Sequence, residues 1–544
     1  MTFEQPSQQL PVSPPKNDEP ICRPGSNPPN SHCRPLPTPP PINNPPEHYG
    51  IPDARPVKSE RKFSSPAVDD FLSRVTQNMR DKDLAMLLNN CLPNTLDTTI
   101  EWFKAGKDPR TFLITGDIPA MWIRDSTNQI LPYMIFAHND TQIQELILGV
   151  ILVQSTFLYY DPYANAFLKP WYAPSGSTQR GAQDRVIPQY DPAYVWESKL
   201  KYEHGNNKYE LDSLAHFFQL ANEYMEATGD YERVVTAEDW LKAVPRVFQV
   251  IHDQMKGTWE EEEEIDLYKL RRPMHQPGAV PEPVSLEHGY RFKRTTDRPT
   301  ETLGANGRGG VSRWCGLVRS AFRPSDDATS FPYLIPANAQ LSVQLEKLAV
   351  LLERASQSMI TAPPQLADFA AEAKLLGNTI RKAIYDHAIV THPVFGRIFA
   401  FEVDGYGSSL LMDDANTPSL LSLPVLGFVD VQDEIYLNTR AFVLSNWNPW
   451  YFEGNFGNGI GGPHTGKDMI WPMSLLMQIQ TSTSEEEIKA NLNVLKRLAR
   501  KSGLMCESFH KDNPSRFTRA WFSWANGLAG RTILHIMEKY PHLV

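Results

Sequence analysis

From about residue 66 onward, apolar side chains recur every three to four positions in a series of separate blocks. Val68–Leu92 carries Phe71, Leu72, Val75, Met79, Leu84, Leu87 and Leu88 at that spacing. Residues 141–160 do the same with Ile143, Leu146, Ile147, Val150, Ile151 and Val153. The period continues through Leu211–Met225, Trp240–Met255, Ala337–Ser356, Leu366–Tyr385, Met469–Thr481, Glu485–Lys501 and Ala520–Tyr540. It predicts amphipathic helices, roughly ten to twelve at ordinary lengths. Period-two alternation is scarce, and its clearest case is Arg397–Val403, where Phe399, Phe401 and Val403 share a face. A doubly wound sheet needs β-branched runs between its helices, and these are missing. Helices paired in sequence, with polar and aromatic loops gathered at their ends, predict an all-α toroid of inner and outer helices.

The pattern stops short of the N-terminus. Eighteen of the 46 prolines fall before residue 67, among Ser, Asn and Gln with few branched aliphatics. Such a stretch buries too little apolar surface to offset its conformational entropy, so residues 1–65 are expected to be a disordered, Pro-rich tail. One catalytic domain is expected over 66–544. Its 41% hydrophobic share and twelve tryptophans suit a sizeable core, and a net charge of −10 gives a nucleic-acid partner no electrostatic support. No apolar run of about 18 residues is present, so no membrane-spanning helix is expected. The first residues lack the basic and apolar regions of a signal peptide. The five cysteines (Cys22, Cys33, Cys91, Cys315 and Cys506) are odd in number and widely spaced, which argues against a disulfide framework and a structural zinc site.

The loops carry the chemistry. Thr115–Ser126 crowds Asp117, Trp122, Arg124 and Asp125 into a dozen residues with no helical or strand period. Such charges are costly to bury unless they pair or meet a polar ligand. An indole beside fixed hydrogen-bonding groups is how proteins grip sugars, and a buried ion pair holding a loop explains the run equally well. Other loops repeat the character: Asp212 and Ser213 at a helix start, Arg323 beside Asp326 and Asp327, Glu402 and Asp404 after the strand, His464 in a Gly-rich turn, and Glu507 ahead of Arg519 and Trp521. Acids beside aromatic rings are what glycoside hydrolysis requires: one carboxyl protonates the leaving oxygen, and a second attacks or activates water. Apolar rings nearby keep the first protonated.

Rival motifs fail on context. Gly457–Gly462 spells G-x-G-x-x-G without the strand of a βαβ unit. Gly461–Lys467 nearly spells a P-loop, but Asp468 stands where a Mg²⁺-binding hydroxyl belongs. The stretch reads instead as an active-site loop with His464 at its tip. No H-E-x-x-H, nucleophile elbow or EF-hand loop is present. No cofactor is expected.

Taken together, TGDIPAMWIRDS, KYELDS, FRPSDDA with YLIPAN, FEVDG, and ESFH with FTRAWFSWAN resemble glycoside hydrolase family 125, in that family's order and over most of 66–540. The tail and insertions resemble fungal members. The resemblance implies an (α/α)6 barrel and an exo-acting, inverting, metal-independent mannosidase for α-1,6 linkages. It implies a general acid from the FRPSDDA block, Asp327 in preference to Asp326, and Glu507 as general base. It also implies mannose contacts from Arg124, Asp125, Asp212, Arg323, Asn338, Glu402, Asp404 and His464, with Trp122 and Trp521 as apolar walls. The partner is then a mannose-containing oligosaccharide or glycan. A non-catalytic mannan-binding protein and a metal-dependent glycosidase are the alternatives.

Overall fold

The computed structural model describes residues 48–170, 172–174, 202–205, 208–260 and 298–544, with 283–284, 286, 289–294 and 296 between them. The tail over 1–47, Cys22 and Cys33, the acidic run beyond Glu260 and most of 175–207 lie outside the described residues. Twelve helices of eight residues or more carry the described fold. They are α1 (Pro66–Asn78), α2 (Lys82–Cys91), α3 (Ile123–Ile130), α4 (Thr141–Tyr160), α5 (Leu211–Thr228) and α6 (Glu238–Met255), followed by α7 (Ile335–Ser358), α8 (Leu366–His387), α9 (Glu434–Val443), α10 (Pro472–Gln480), α11 (Glu485–Ala499) and α12 (Ser523–Lys539).

Five of them form an inner ring. Helix α12 packs on α3, α3 on α5 and α5 on α7, while α10 packs on α12 from the other side. The gap between α7 and α10 is filled by a turn-rich segment, 413–428. Gly427 lies against Val343 of α7, and Ala415 N–H donates to the Gly461 carbonyl at 3.0 Å. The buried Asp413 carboxylate holds that segment in shape by accepting from the N–H groups of Leu420 (2.8 Å) and Leu421 (3.0 Å). Outside the ring, α8 covers α7, α11 covers α10, α2 covers α12, and α4 with α6 covers α5. This is the (α/α)6 toroid, with the apolar core between its two layers.

Local signals explain several helix starts. Ser65 caps α1 by accepting from Val68 N–H, Asp140 caps α4, and Ser484 caps α11 with three glutamates in the first turn. The single helix expected over Val68–Leu92 is two, because Asp81 caps a new start by accepting from Leu84 N–H. Helix α4 differs from the expectation that no helix could span a membrane. Its twenty residues have the length and mean apolarity of a span. The fold buries fourteen of them, from Ile143 to Leu158, between the strand Arg110–Leu113 and α6, as a helix apolar on most sides must be.

Residues 48–65 were expected within the tail and instead strap the domain. Asp83 accepts from the N–H groups of Tyr49, Gly50 and Ile51. Arg55 forks onto Asp97 at 2.8 and 3.1 Å and reaches Asp69 at 2.9 Å. The few strands are short and antiparallel, and lie among the loops. The strand expected over Arg397–Val403 is split between Gly396–Phe399 and Glu402–Val403, which join different sheets.

Candidate active site

One cavity of about 520 Å³ lies where inner helices begin. Trp122, Arg124 and Asp125 enter it from the start of α3, Trp471 from the residue before α10, and Phe522 and Trp524 from the start of α12. Loops add Lys208, Asp326, His464, Glu507 and Arg519. It therefore combines indole and phenyl faces with fixed charges, the pairing a sugar needs for its C–H face and its hydroxyls.

Arg124 organises one side. Its Nη1 meets Glu210 Oε2 at 2.5 Å and Asp212 Oδ2 at 3.3 Å, its Nε meets Asp125 Oδ2 at 3.4 Å, and its guanidinium lies 5.4 Å from the Trp524 ring centre. Burial pushes the Asp125 carboxyl up to about 6, although Arg124 and Arg519 draw it down. It is then half-protonated near pH 6 and mostly ionised at neutral pH, where it accepts from hydroxyls. Helix α3 holds these groups rigidly, because Gln154 of α4 donates to Ser126 Oγ (2.9 Å) and Thr127 Oγ1 (3.1 Å).

Glu507 sits on the other side. It precedes the strand Ser508–His510, which pairs with Met469–Ile470 on one edge and Phe517–Thr518 on the other. Arg519 Nη1 lies 3.4 Å from Glu507 Oε1, and its remaining nitrogens grip Asp117 at 2.5–3.2 Å. Arg519 has a positive φ of 36°, an uncommon conformation for this residue, and stacks over Phe522 with 4.7 Å between guanidinium and ring centre. The Asp117 loop approaches closely because residue 116 is glycine: at φ 128°, a Cβ there would lie 2.6 Å from the Trp521 carbonyl oxygen.

The two adjacent acids separate. Asp326, at φ 69°, turns its carboxylate to the cavity, where Lys208 Nζ lies 3.4 Å from Oδ1. Burial opposes its ionisation, yet Lys208, Arg124 and His464 together draw it well below the usual carboxyl range. Asp327 is buried behind the cavity, with Oδ2 accepting from Ser325 Oγ at 3.2 Å and Oδ1 4.0 Å from His464 Nδ1. Burial raises its carboxyl, and His464 opposes the rise. The preference for Asp327 over Asp326 does not fit this geometry, because successive side chains of a tight turn leave in different directions.

Several expected sugar contacts are held elsewhere. Arg323 Nε donates to Glu402 Oε1 at 2.6 Å, and Glu402 Oε2 accepts from the N–H groups of Ser330 and Phe331 at 2.8 and 2.9 Å. Asn338 spends its amide on Val318 and Leu334 backbone groups. Asp404 turns its own loop by accepting from Tyr406 and Ser408 N–H. Asp212 stands behind Arg124. Trp521 is displaced from the cavity lining by its neighbours Phe522 and Trp524. Arg124, Asp125, Trp122, His464, Asp326 and Glu507 are the expected residues that meet at the cavity. Replacing Glu402 with Ala strands a buried guanidinium, an expected loss of about 3–5 kcal/mol. The check is a lower urea midpoint; a raised KM at unchanged stability would restore Glu402 as a sugar ligand.

Lys208, Glu210, Asp117 and Arg519 escaped the sequence reading as site residues. Lys208 and Glu210 flank Tyr209 just ahead of α5, beside the Asp212 that was singled out. Charged residues flanking a motif so closely were the available signal. Among the described residues, no three of His, Cys, Asp and Glu converge as metal ligands do.

Paired carboxyls and aromatic walls at the loop end of an (α/α)6 toroid define a glycoside hydrolase. A family model of metal-independent alpha-mannosidases (GH125) matches residues 81–534, and the chain belongs to that family. It is 45% identical over 497 residues to the meiotically up-regulated gene 157 protein of Schizosaccharomyces pombe (strain 972 / ATCC 24843), covering 91% of this chain and 90% of that one. Its structure is similar to that of a Streptococcus pneumoniae metal-independent α-mannosidase solved in a non-productive complex with α-1,6-mannobiose. The TM-score is 0.71 at 32% identity, covering 88% of this chain and 99% of that chain.

Proposed function

We propose that this α-mannosidase removes terminal, non-reducing α-1,6-linked mannose from oligosaccharides or glycans with inversion of configuration. Asp326 serves as general acid and Glu507 as general base; in the empty site Lys208, Arg124 and His464 hold Asp326 ionised, so it takes on its proton as the substrate enters. The observation that carries the reading is that these two carboxylates, from separate loops, line one cavity among aromatic faces. Inversion requires such a pair about 6.5–9.5 Å apart, leaving room for a water opposite the leaving group. In the forward step Glu507 takes a proton from that water as its oxygen attacks the anomeric carbon. The glycosidic oxygen leaves with a proton from Asp326. Arg519, clamped by Asp117, fixes the direction of the base, and Arg124 with Asp125 holds the sugar hydroxyls from the side. Linkage preference draws support from the Streptococcus pneumoniae relative, which was solved with α-1,6-mannobiose.

The test is to incubate the protein with α-1,6-mannobiose and follow the anomeric protons by NMR. β-Mannose is expected as the first product, before mutarotation. An α-anomer appearing first overturns inversion, and an untouched disaccharide overturns the linkage.

A further inference from the structure

The terminal mannose and the two catalytic carboxyls account for only part of the cavity wall. Arg298, Glu301, Pro324 and Ser325 also line it, and none of them has a role in the scheme above. Pro324 and Ser325 belong to the turn that carries Asp326. Arg298 and Glu301 are joined to that turn through the backbone, because Ala328 N–H donates to the Thr300 carbonyl at 2.6 Å. These four residues therefore form the wall on the side of the general acid. The opposite wall belongs to the base. There Arg519 grips Asp117 and Glu507, and Ile118 and Pro119 follow Asp117 into the lining.

The local sequence pairs Arg298 with Glu301. Pro299 opens a single 3-10 turn, Pro299–Glu301, which Glu301 N–H closes by donating to the Arg298 carbonyl at 3.0 Å. Residues three apart in such a turn lie on one face. The two side chains accordingly meet, with Arg298 Nη1 donating to Glu301 Oε1 at 2.9 Å. Depth then orders the cavity. The Arg124 and Asp125 side chains are 3% and 6% exposed, that of Glu301 is 9% and that of Arg298 is 64%. The cavity runs from a closed floor at Arg124 to a mouth at Arg298. A chain-end sugar enters such a blind site first, so the sugar it is joined to lies toward the mouth.

Resting on the acid and base roles assigned above, we propose that Arg298 and Glu301 form the subsite for the leaving sugar, and that they select substrates in which the cleaved mannose is joined to a second sugar. The departing glycosidic oxygen must come within reach of Asp326, so the sugar that carries it lies along the wall to which Asp326 belongs. There Arg298 donates to its hydroxyls, Glu301 accepts from them, and Pro324 offers an apolar edge to its C–H groups. Two neighbouring hydroxyls can engage a guanidinium and a carboxylate held side by side; a leaving group without hydroxyls cannot. An α-1,6 linkage adds an exocyclic methylene between the glycosidic oxygen and the second ring, which carries that ring outward to the rim. Arg124 and Asp125 on the floor read the mannose. The Arg298–Glu301 pair reads what the mannose was attached to.

The experiment compares Arg298→Ala and Glu301→Gln with wild type on two substrates, α-1,6-mannobiose and α-mannosyl fluoride. The fluoride fills the mannose site and has no second sugar. Arg298 is largely exposed, so its truncation leaves the fold in place, and an amide preserves the shape of Glu301. Expected in either variant is a fall in kcat/KM on mannobiose of on the order of 10–100-fold, mostly through KM, with less than about a twofold change on the fluoride. Equal falls on the two substrates, or an unchanged KM for mannobiose, overturn the proposal. Should Glu301→Gln fail to fold, Arg298→Ala decides alone. A wild-type protein that hydrolyses the fluoride and leaves mannobiose intact overturns the linkage, and the subsite with it. One that leaves both substrates intact sinks the function reading itself, a result distinct from either variant's failure.

Discussion

Glu507→Gln is expected to lower kcat on α-1,6-mannobiose by on the order of 10²–10⁴-fold while leaving affinity for the disaccharide close to wild type. The size follows from the role of the base, since an amide cannot take a proton from the attacking water, which must then attack without assistance. Retained binding follows from the scaffold. The backbone N–H of residue 507 donates to the carbonyls of Thr518 and Arg519, and the strand after it is paired on both edges. An isosteric side chain therefore inherits the same direction, and the neighbouring Arg519 remains anchored on Asp117. Calorimetry with intact disaccharide and the variant gives the binding arm, and product NMR gives the turnover arm. A variant that keeps more than about a tenth of wild-type kcat removes Glu507 from the base role. A variant that loses binding as well makes it a sugar ligand first.

The outer layer and much of the inner layer were legible in the sequence, since a helix buried along one stripe repeats its apolar residues at about 3.6 positions. Helix α3 was not. Its buried residues include Arg124, Asp125, Ser126, Thr127 and Gln129, so its inward face is polar and leaves no apolar period. The reason is its position: the same helix delivers the site's charges and is braced by Gln154 of α4 through hydrogen bonds. Helix α9 was missed despite an Asp433 cap on Tyr436 N–H. Motif residues were located well as a group and sorted poorly as individuals. Arg323 and Glu402 look alike in sequence to Arg124 and Asp125, but only a fold can tell that the first pair closes on itself and the second opens on a cavity. For the same reason the acids at 326 and 327 could not be ordered: Asp326, at a φ of 69°, lines the cavity and Asp327 does not.

That ordering yields the second large effect. Asp326→Asn is expected to cost on the order of 10²–10⁴-fold in kcat on α-1,6-mannobiose and much less on an activated aryl mannoside, because only the poor leaving group needs a proton in the transition state. Asp327→Asn is expected to act differently. Its carboxylate accepts from Ser325 Oγ and faces His464, so its loss loosens the turn and the His464 loop without removing the acid. The fall should then be smaller, similar for both substrates, and accompanied by a higher KM. Leaving-group dependence is the deciding measurement, since a distorted turn slows every substrate alike while a missing acid slows only those that wait for it. If dependence appears in Asp327→Asn and not in Asp326→Asn, the roles are reversed, and the turn must then rearrange on sugar binding to bring Asp327 into the cavity.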